Sequence, residues 1–180
     1  MNLPKQYAWL SAEPGPRILV EMLKLHGTIE APGAKNNPLI LKWAKAIGLG
    51  NVYKSDAIAW CGLTVAYAAA QAGWDYAPRG NALWARNWAS WGRAVDRGRE
   101  MLGDVLVFAR GTGGHVALYV GEDKTHFHIL GGNQDDSVSI KRRAKDQLIA
   151  TRRCPWRVNQ PSNVRKVTLA AVGAVSKSEA

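Results

Sequence analysis

The chain has 180 residues, which fits one domain of ordinary size. Its two cysteines are too few for a disulfide framework or a four-cysteine zinc module, so we expect synthesis in a reducing compartment. The formal net charge of +10 is uneven, because residues 137–180 carry ten Lys or Arg and only two acids.

The sequence contains no segment with the length and apolarity of a membrane span. Such a span needs about 18 or more consecutive apolar residues, and no run in this chain is that long. The N-terminal stretch MNLPKQYAWLSAEPGP also lacks the apolar core of a secretory signal. We therefore expect a soluble protein that is made in the cytosol.

Three helices are predicted in the first half of the chain. Pro16 opens the first, whose apolar residues recur at helical spacing until Gly27 ends it. Asn37 precedes a proline at the start of the second, which ends before Gly48. The third, over residues 59–72, is apolar on nearly all sides, so we expect it to be buried.

The second half of the chain has the pattern of antiparallel strands. Five short segments are rich in β-branched and aromatic residues and are separated by Gly, Asp and Asn: 104–109, 115–121, 126–131, 137–142 and 148–153. Helices followed by strands predict an α+β domain with the helices packed on one face of the sheet. We place this domain at residues 1–156 and predict a basic C-terminal tail at 157–180.

Cys61 is the first candidate for chemistry, because it stands at the predicted start of the buried helix. The unpaired N–H groups and the positive dipole end of a helix start stabilise a thiolate, the nucleophilic form of cysteine. A buried cysteine is also often a small core residue, and position alone does not separate the two interpretations. Asp56 either caps this helix, which we favour, or lines a cleft beside the cysteine.

His115 is the second candidate, and it follows GTGG at the start of a predicted strand. Gly114 in that run allows a substrate or another backbone to approach closely. A histidine at the edge of a strand is commonly only a surface residue, so its role depends on what lies opposite it.

The hairpin register predicts the partner of His115. If its strand pairs with the next one, residues whose numbers sum to 247 or 248 face each other. A sum of 248 places Asn133 opposite His115, on the face that meets the Cys61 helix, and sends Gln134 to the other face. Cysteine, histidine and an orienting amide together form a triad of the papain-like type.

Several ordered motifs also resemble a known family. DAIAWCGLTVAY, GDVLVFARGTGGHVALYVGED and ILGGNQDDSVSI are similar to phage and prophage cell-wall hydrolases related to the NlpC-type and CHAP enzymes. GTIEAPGAKNNPLI and NALWARNWASWG fit the same family, so the resemblance covers roughly residues 8–154. The sequence departs from the family at Gly62, where a small residue such as alanine is more usual.

The resemblance implies a papain-like (NlpC/CHAP-like) fold and a peptidoglycan peptide as substrate, without a cofactor. Carried over by position, Cys61 is the nucleophile, His115 the general base and Asn133 the orienting residue. Four neighbours of these residues are predicted to contact the substrate: Asp56, Trp60, Gly114 and Gln134.

The expected function is that of a phage endolysin, with a virion-associated lysin or an injected antibacterial effector as alternatives. We expect a monomeric endopeptidase, in preference to an N-acetylmuramoyl-L-alanine amidase, that accumulates in the host cytoplasm and reaches the wall after the membrane is opened. The basic C-terminal region is expected to hold anionic cell envelopes. The alternative is a non-catalytic basic module that binds nucleic acid or envelope polyanions.

Two further patterns have alternative interpretations. His126 and His128 alternate on a strand and would share a face, but no third ligand has suitable spacing, so we expect no metal site. Trp84, Trp88 and Trp91 follow helical spacing, which is typical of packing against a core, although such a stripe can also stack on sugar rings.

Overall fold

In a computed structural model, residues 2–156 and 159–175 are described and have an α+β architecture. The α-helices of these residues precede the sheet: α1 (Arg17–Leu23), α2 (Pro38–Ala46) and α3 (Cys61–Gln71). Short 3-10 helices span Lys5–Ala12, Ala85–Ser90 and Lys145–Gln147. In the described part of the chain, no helix combines the length and the apolarity needed to cross a bilayer.

The three predicted helices are confirmed at the predicted places. Asn37 caps α2, since its side chain accepts a hydrogen bond from Leu39 N at 2.9 Å. Helix α3 is buried along nearly its whole length, as its apolar sequence indicates. Its N-cap is Trp60, which makes no side-chain capping bond, so the prediction that Asp56 caps this helix is wrong.

The strands of the described residues form one antiparallel sheet of six, where we predicted about five. They are β1 (Arg93–Val95), β2 (Val105–Arg110), β3 (Gly113–Glu122), β4 (His126–Gly131), β5 (Ser139–Ala144) and β6 (Leu148–Arg153), in the order β1-β6-β2-β3-β4-β5. The strand that the sequence did not predict is β1, a three-residue edge strand that pairs with β6. A segment this short shows no alternation of apolar and polar residues.

The two faces of the sheet pack into different apolar clusters. One face meets the helices and includes Val107, Val116, Leu118 and Leu130. The other face carries the smaller cluster of Leu106, Phe108, Ala117, Tyr119, Phe127 and Ile129. We call these the helix face and the inner face.

The sheet is strongly curled around its inner face. Arg143 on β5 donates a hydrogen bond to the carbonyl of Ala109 on β2 and stands 5.6 Å from the ring centroid of Phe108. Two strands separate β5 from β2 in the sheet, so a flat sheet would hold them about 14 Å apart. The curl brings them close enough for one side chain to span the gap.

Residues 159–175 of the predicted tail pack against the sheet. The backbone of Glu122 bonds to both Val167 and Leu169 at 2.8 Å, and Arg142 N bonds to Ala174 O at 2.9 Å. Val164 is buried with the core. Residues 157–158 and 176–180 of the predicted tail lie outside the described part of the chain.

Candidate active site

Cys61 is the first residue of α3 and is 4% exposed. It therefore lies where the first backbone N–H groups of the helix lack intrahelical partners and where the helix dipole is positive. Such a position stabilises a thiolate and, later, the oxyanion of a reaction intermediate. The predicted position of the candidate nucleophile agrees with the structure.

The wall of a cavity of about 370 Å³ includes Cys61. The other lining residues come from the loop before α3, the segment that follows Asn81 and the β2–β3 turn: Ala59, Leu83, Trp84, Ala85, Arg86, Thr112, Gly113 and Gly114. Of the four predicted substrate contacts, Gly114 alone lines this cavity. Arg86 is the single charged residue in this lining set, and its guanidinium donates to the carbonyls of Gly113 and Gly111.

Gly62 allows the cavity wall to close against the cysteine helix. A methyl group at this position would lie 2.7 Å from the carbonyl oxygen of Leu83 and closer still to that of Ala82. Real Cβ atoms do not approach backbone atoms so closely, so only glycine permits the observed contact. Glycine at this position thus lets the backbone of Ala82 and Leu83 lie directly against α3.

Asp56 and Trp60 are buried side chains that form structural hydrogen bonds and are not part of the cavity lining. The carboxylate of Asp56 accepts hydrogen bonds from Ala31 N at 2.9 Å and Asn37 N at 2.8 Å. The indole of Trp60, 0% exposed, donates to Glu30 Oε2 at 2.8 Å. Their predicted role as substrate contacts does not fit these positions, because both side chains tie the loop before α2 to the start of α3.

His115 is fully buried on the inner face of the sheet. It pairs with Phe108 and stands two residues before Ala117, and both of these belong to the inner cluster. Helix α3 packs on the other face, with Val116. The assumption that His115 projects from the face that meets the cysteine helix is therefore wrong.

β4 ends at two consecutive glycines, Gly131 and Gly132, which lie close to residues on both faces of the sheet. A side chain at Gly131 would reach within 3.5 Å of His115 Nε2. One at Gly132 would press on Thr64 and lie 2.8 Å from Trp60 Cε3, at the first turn of α3. The ring of His115 and the first turn of α3 thus lie near consecutive glycines at the end of β4.

The register predicted for the β3–β4 hairpin is observed only in its middle, and the pairing stops before His115. Leu118 pairs with Leu130 and Tyr119 with Ile129, both summing to 248, but a shift nearer the turn pairs Gly121 with His128 and Glu122 with Phe127, which sum to 249. The strand then ends at Gly131, and Asn133 has a left-handed φ of 55°. The alternation that was used to choose between Asn133 and Gln134 therefore does not extend to them.

Hydrogen bonding separates these two residues instead. The amide of Gln134, 0% exposed, donates to Ser139 O at 2.6 Å and to Gly131 O at 3.2 Å, which closes the loop between β4 and β5. Gln134 is thus a structural residue and not the substrate contact that we predicted. Asn133 is 4% exposed and directly follows Gly132, which lies against Thr64 and Trp60.

Trp84 follows the alternative that the sequence analysis kept open, since packing against the core was favoured for all three tryptophans of the 84–91 stripe. Its predicted companions Trp88 and Trp91 are buried, as expected of packing residues, but Trp84 is 68% exposed and lines the cavity. The 3-10 helix begins only at Ala85, so helical spacing does not apply to Trp84. The run Asn81–Trp84, with a turn-forming asparagine ahead of a tryptophan, was the available signal.

A second cavity, of about 340 Å³, lies at the other end of the hairpin. Phe127 contributes to its lining, together with cations and acids that include Glu122. Lys145 and Lys166 both pair with that carboxylate, at 3.3 and 2.8 Å. Among the described residues, no group of three or more His, Cys, Asp and Glu is arranged to hold a metal ion.

The basic C-terminal region is largely paired within the fold. The eight of its ten cations that are described each contact a protein acceptor: Lys141, Arg142, Arg143, Lys145, Arg152, Arg153, Arg165 and Lys166. Two of the acceptors are Glu13 and Asp104, far from these residues in sequence. The positive charge of this region thus serves partly to join segments of the chain.

A scan against models of protein families and a search of curated proteins found no match to this chain.

Proposed function

We propose that the protein is a thiol hydrolase with a papain-like (NlpC/CHAP-like) fold that cuts an amide bond in the peptide part of bacterial peptidoglycan. The observation that carries the proposal is the position of Cys61 at the start of a buried helix, on the wall of a cavity that also includes the backbone just before His115. The choice of peptidoglycan rests on the resemblance of the three sequence motifs that surround Cys61, His115 and Asn133.

The proposed reaction is an acyl transfer in two steps. The Cys61 thiolate attacks the amide carbonyl, and the C–N bond breaks as His115 gives a proton to the leaving amine. Water then attacks the thioester with His115 as base, which releases the carboxylic acid and restores the thiol. The backbone N–H of Cys61 is a donor for the oxyanion, because it belongs to the first turn of α3.

The end of β4 supports this assignment. A side chain at Gly131 would lie 3.5 Å from His115 Nε2, and one at Gly132 would lie 2.8 Å from Trp60 Cε3, so glycine at both positions lets the chain after β4 pass close to His115 and to the start of α3. Asn133 follows them, and we assign it the orientation of the imidazole. The alternative of a non-catalytic polyanion-binding module has little support, because the described cations of the basic region are engaged within the fold.

The test is a digestion of purified peptidoglycan of known composition, with the new amino and carboxyl ends identified by mass spectrometry. We expect the wild type to release one kind of amide-derived end, and Cys61→Ala to release at least about 10³-fold less. Cys154→Ala is the matched control, because Cys154 is buried away from the cavity and burial raises the pKa of its thiol to about 12.

Two outcomes of this experiment would contradict different parts of the proposal. Release that survives Cys61→Ala, or is lost in Cys154→Ala with the fold intact, contradicts the assignment of the nucleophile. No release by the wild type from any peptidoglycan chemotype contradicts the substrate.

A further inference from the structure

The exposure of Trp84 is anomalous for this chain. The sequence contains eight tryptophans, and each of the other seven is buried or partly buried in the structure. Large aromatic side chains gain free energy from burial, so an exposed indole on the wall of a cavity indicates a surface that a ligand covers.

Trp84 is held in place by a rigid frame. Asn81 accepts hydrogen bonds from Leu83 N at 2.9 Å and Trp84 N at 3.1 Å, and Asn87 N bonds to Trp84 O at 3.0 Å. From the other side, the contact at Gly62 fixes the same segment against α3. The backbone that carries the indole is therefore held in place, one residue from the Leu83 carbonyl that lies against Gly62.

The cavity lining around Trp84 is nearly uncharged. It contains no carboxylate and one cation, Arg86, whose guanidinium holds the β2–β3 turn through hydrogen bonds to the carbonyls of Gly113 and Gly111. The ammonium groups of the peptidoglycan peptide find no opposite charge in this lining, and Arg86 is the single cation there that its carboxylates can meet. The amino-sugar rings of the glycan are neutral, and their C–H faces pack well on an indole.

We propose that Trp84 is a stacking platform for an N-acetylhexosamine ring of the glycan strand, next to the Cys61 end of the same cavity. This inference rests on the proposed function and adds to it a saccharide subsite. The platform places the sugar beside the nucleophile, so the bond that is cut lies near the glycan and not in a distant cross-bridge. Gly62 is the positioning residue that brings the platform against the cysteine helix.

Binding is tested in a Cys61→Ala background, which separates recognition from turnover. The probes are a chitin trisaccharide and a free stem peptide, and each dissociation constant is measured by NMR titration. We expect Trp84→Ala to weaken trisaccharide binding about tenfold or more, and Trp84→Phe to weaken it by less than about threefold, because a phenyl ring keeps a stacking face. Val52→Ala is the control, since Val52 is 63% exposed and is not part of the cavity wall.

Gly62→Ala supplies an independent variant in which the indole is still present. The added methyl group displaces the 82–84 backbone, so trisaccharide binding should fall in the same direction as in Trp84→Ala. Circular dichroism confirms that each variant is folded. Trisaccharide binding that is absent, or that does not change in Trp84→Ala, overturns the inference, and so does a Trp84→Ala effect confined to the stem peptide.

Failure of this inference is distinguishable from failure of the proposed function. If the wild type digests peptidoglycan while trisaccharide binding does not depend on Trp84, the result supports the thiol hydrolase and contradicts the saccharide subsite. If trisaccharide binding depends on Trp84 while the wild type releases no amide-derived ends, the result supports the saccharide subsite and contradicts the thiol hydrolase.

Discussion

The β3–β4 hairpin is built differently at its two ends, although each end carries a fully buried histidine. At the turn end, His128 bonds to Tyr7 at 2.7 Å and to Asp123 at 3.1 Å. Arg142 pairs with the same aspartate at 2.7 Å. At the other end, near His115, the neighbouring positions are glycines and a cavity opens beside them.

The difference shows how two similar residues take different roles. At the turn end the polar groups satisfy one another and join the N-terminal 3-10 helix to the sheet. At the cavity end, Gly113 and Gly114 line the same cavity as Cys61. We therefore expect substitutions at the cavity end to change catalysis and substitutions at the turn end to change stability.

The largest expected difference between the two ends of the hairpin comes from substituting their histidines. We expect His115→Ala to lower hydrolysis per folded molecule at least about 10³-fold, because general acid–base catalysis is lost. His128→Asn should retain turnover but lower the free energy of unfolding by about 2–4 kcal/mol, since Tyr7 and Asp123 lose their buried partner. Hydrolysis rates and urea unfolding measure the two effects, and the reverse assignment of losses would contradict the comparison.

The loop after Gly131 provides a smaller contrast between adjacent residues. Asn133→Ala should lower turnover by roughly 10- to 100-fold, less than His115→Ala, because an orienting residue takes no part in bond making. Gln134→Ala should instead lower stability by about 1–3 kcal/mol, since it leaves buried carbonyls of Gly131 and Ser139 without their donor. A large loss of turnover in a stably folded Gln134→Ala variant would transfer the orienting role to that residue.

The sequence predicts the regular parts of this fold well. Capping and proline signals locate α2, and alternation of apolar residues locates β2 to β6 to within about three residues. These elements are determined by local preferences and by the burial of one or two faces. The register of β3 with β4 is predicted correctly at Leu118 and Tyr119 but not beside the turn, because an irregularity between Tyr119 and Gly121 shifts it by one residue.

The arrangement of the site depends on tertiary contacts that no local pattern contains. The face on which His115 lies is set by the curl of the sheet and by which face α3 covers. The exposure of Trp84 depends on where the 3-10 helix begins and on the close approach at Gly62. The sequence predicts a free basic tail because the acidic partners of its cations, such as Glu13, are distant in sequence.

The pH dependence of stability tests the turn end by itself. Burial lowers the pKa of His128, and the neighbouring Asp123 only partly opposes this. The unfolded chain therefore takes up a proton first, so the stabilising contribution is present above about pH 6.5 and is lost as the pH falls below that value. The loss is at most about 1.4 kcal/mol per pH unit for one such group.

Urea unfolding at pH 7.5 and 5.5 checks this prediction. Hydrogen bonds to Asp123 hold the pKa of that carboxyl below its usual range despite burial, so it titrates below this window. The pKa of His26 is also lowered by burial, so His26→Asn removes a separate contribution of the same sign. The pH dependence should shrink in His128→Asn and shrink further in the double variant with His26→Asn; if His128→Asn leaves it unchanged, the turn-end network is not its source.

The smallest effect is expected from the cations that join the C-terminal segment to the sheet. Arg165 pairs with Glu13 and Lys166 with Glu122, both partly exposed, so each pair contributes under about 1 kcal/mol to stability. Because these charges already have partners, a double change of Arg165 and Lys166 to alanine should alter the salt dependence of binding to sacculi only slightly. Cosedimentation at 0.1 M and 1 M salt, where the Debye length falls from about 10 Å to about 3 Å, measures it.

A double change of Lys35 and Lys42 to alanine removes the same charge elsewhere and serves as the control. Point variants are preferable to a truncation after Pro155, because truncation would also remove Val164 from the core and the backbone bonds to Glu122. If the Arg165 and Lys166 variant loses its salt dependence while the control keeps it, these two cations contact the envelope directly. In that case the polar groups at the turn end are paired with one another, but the cations of the C-terminal segment packed against it are not confined to such pairs.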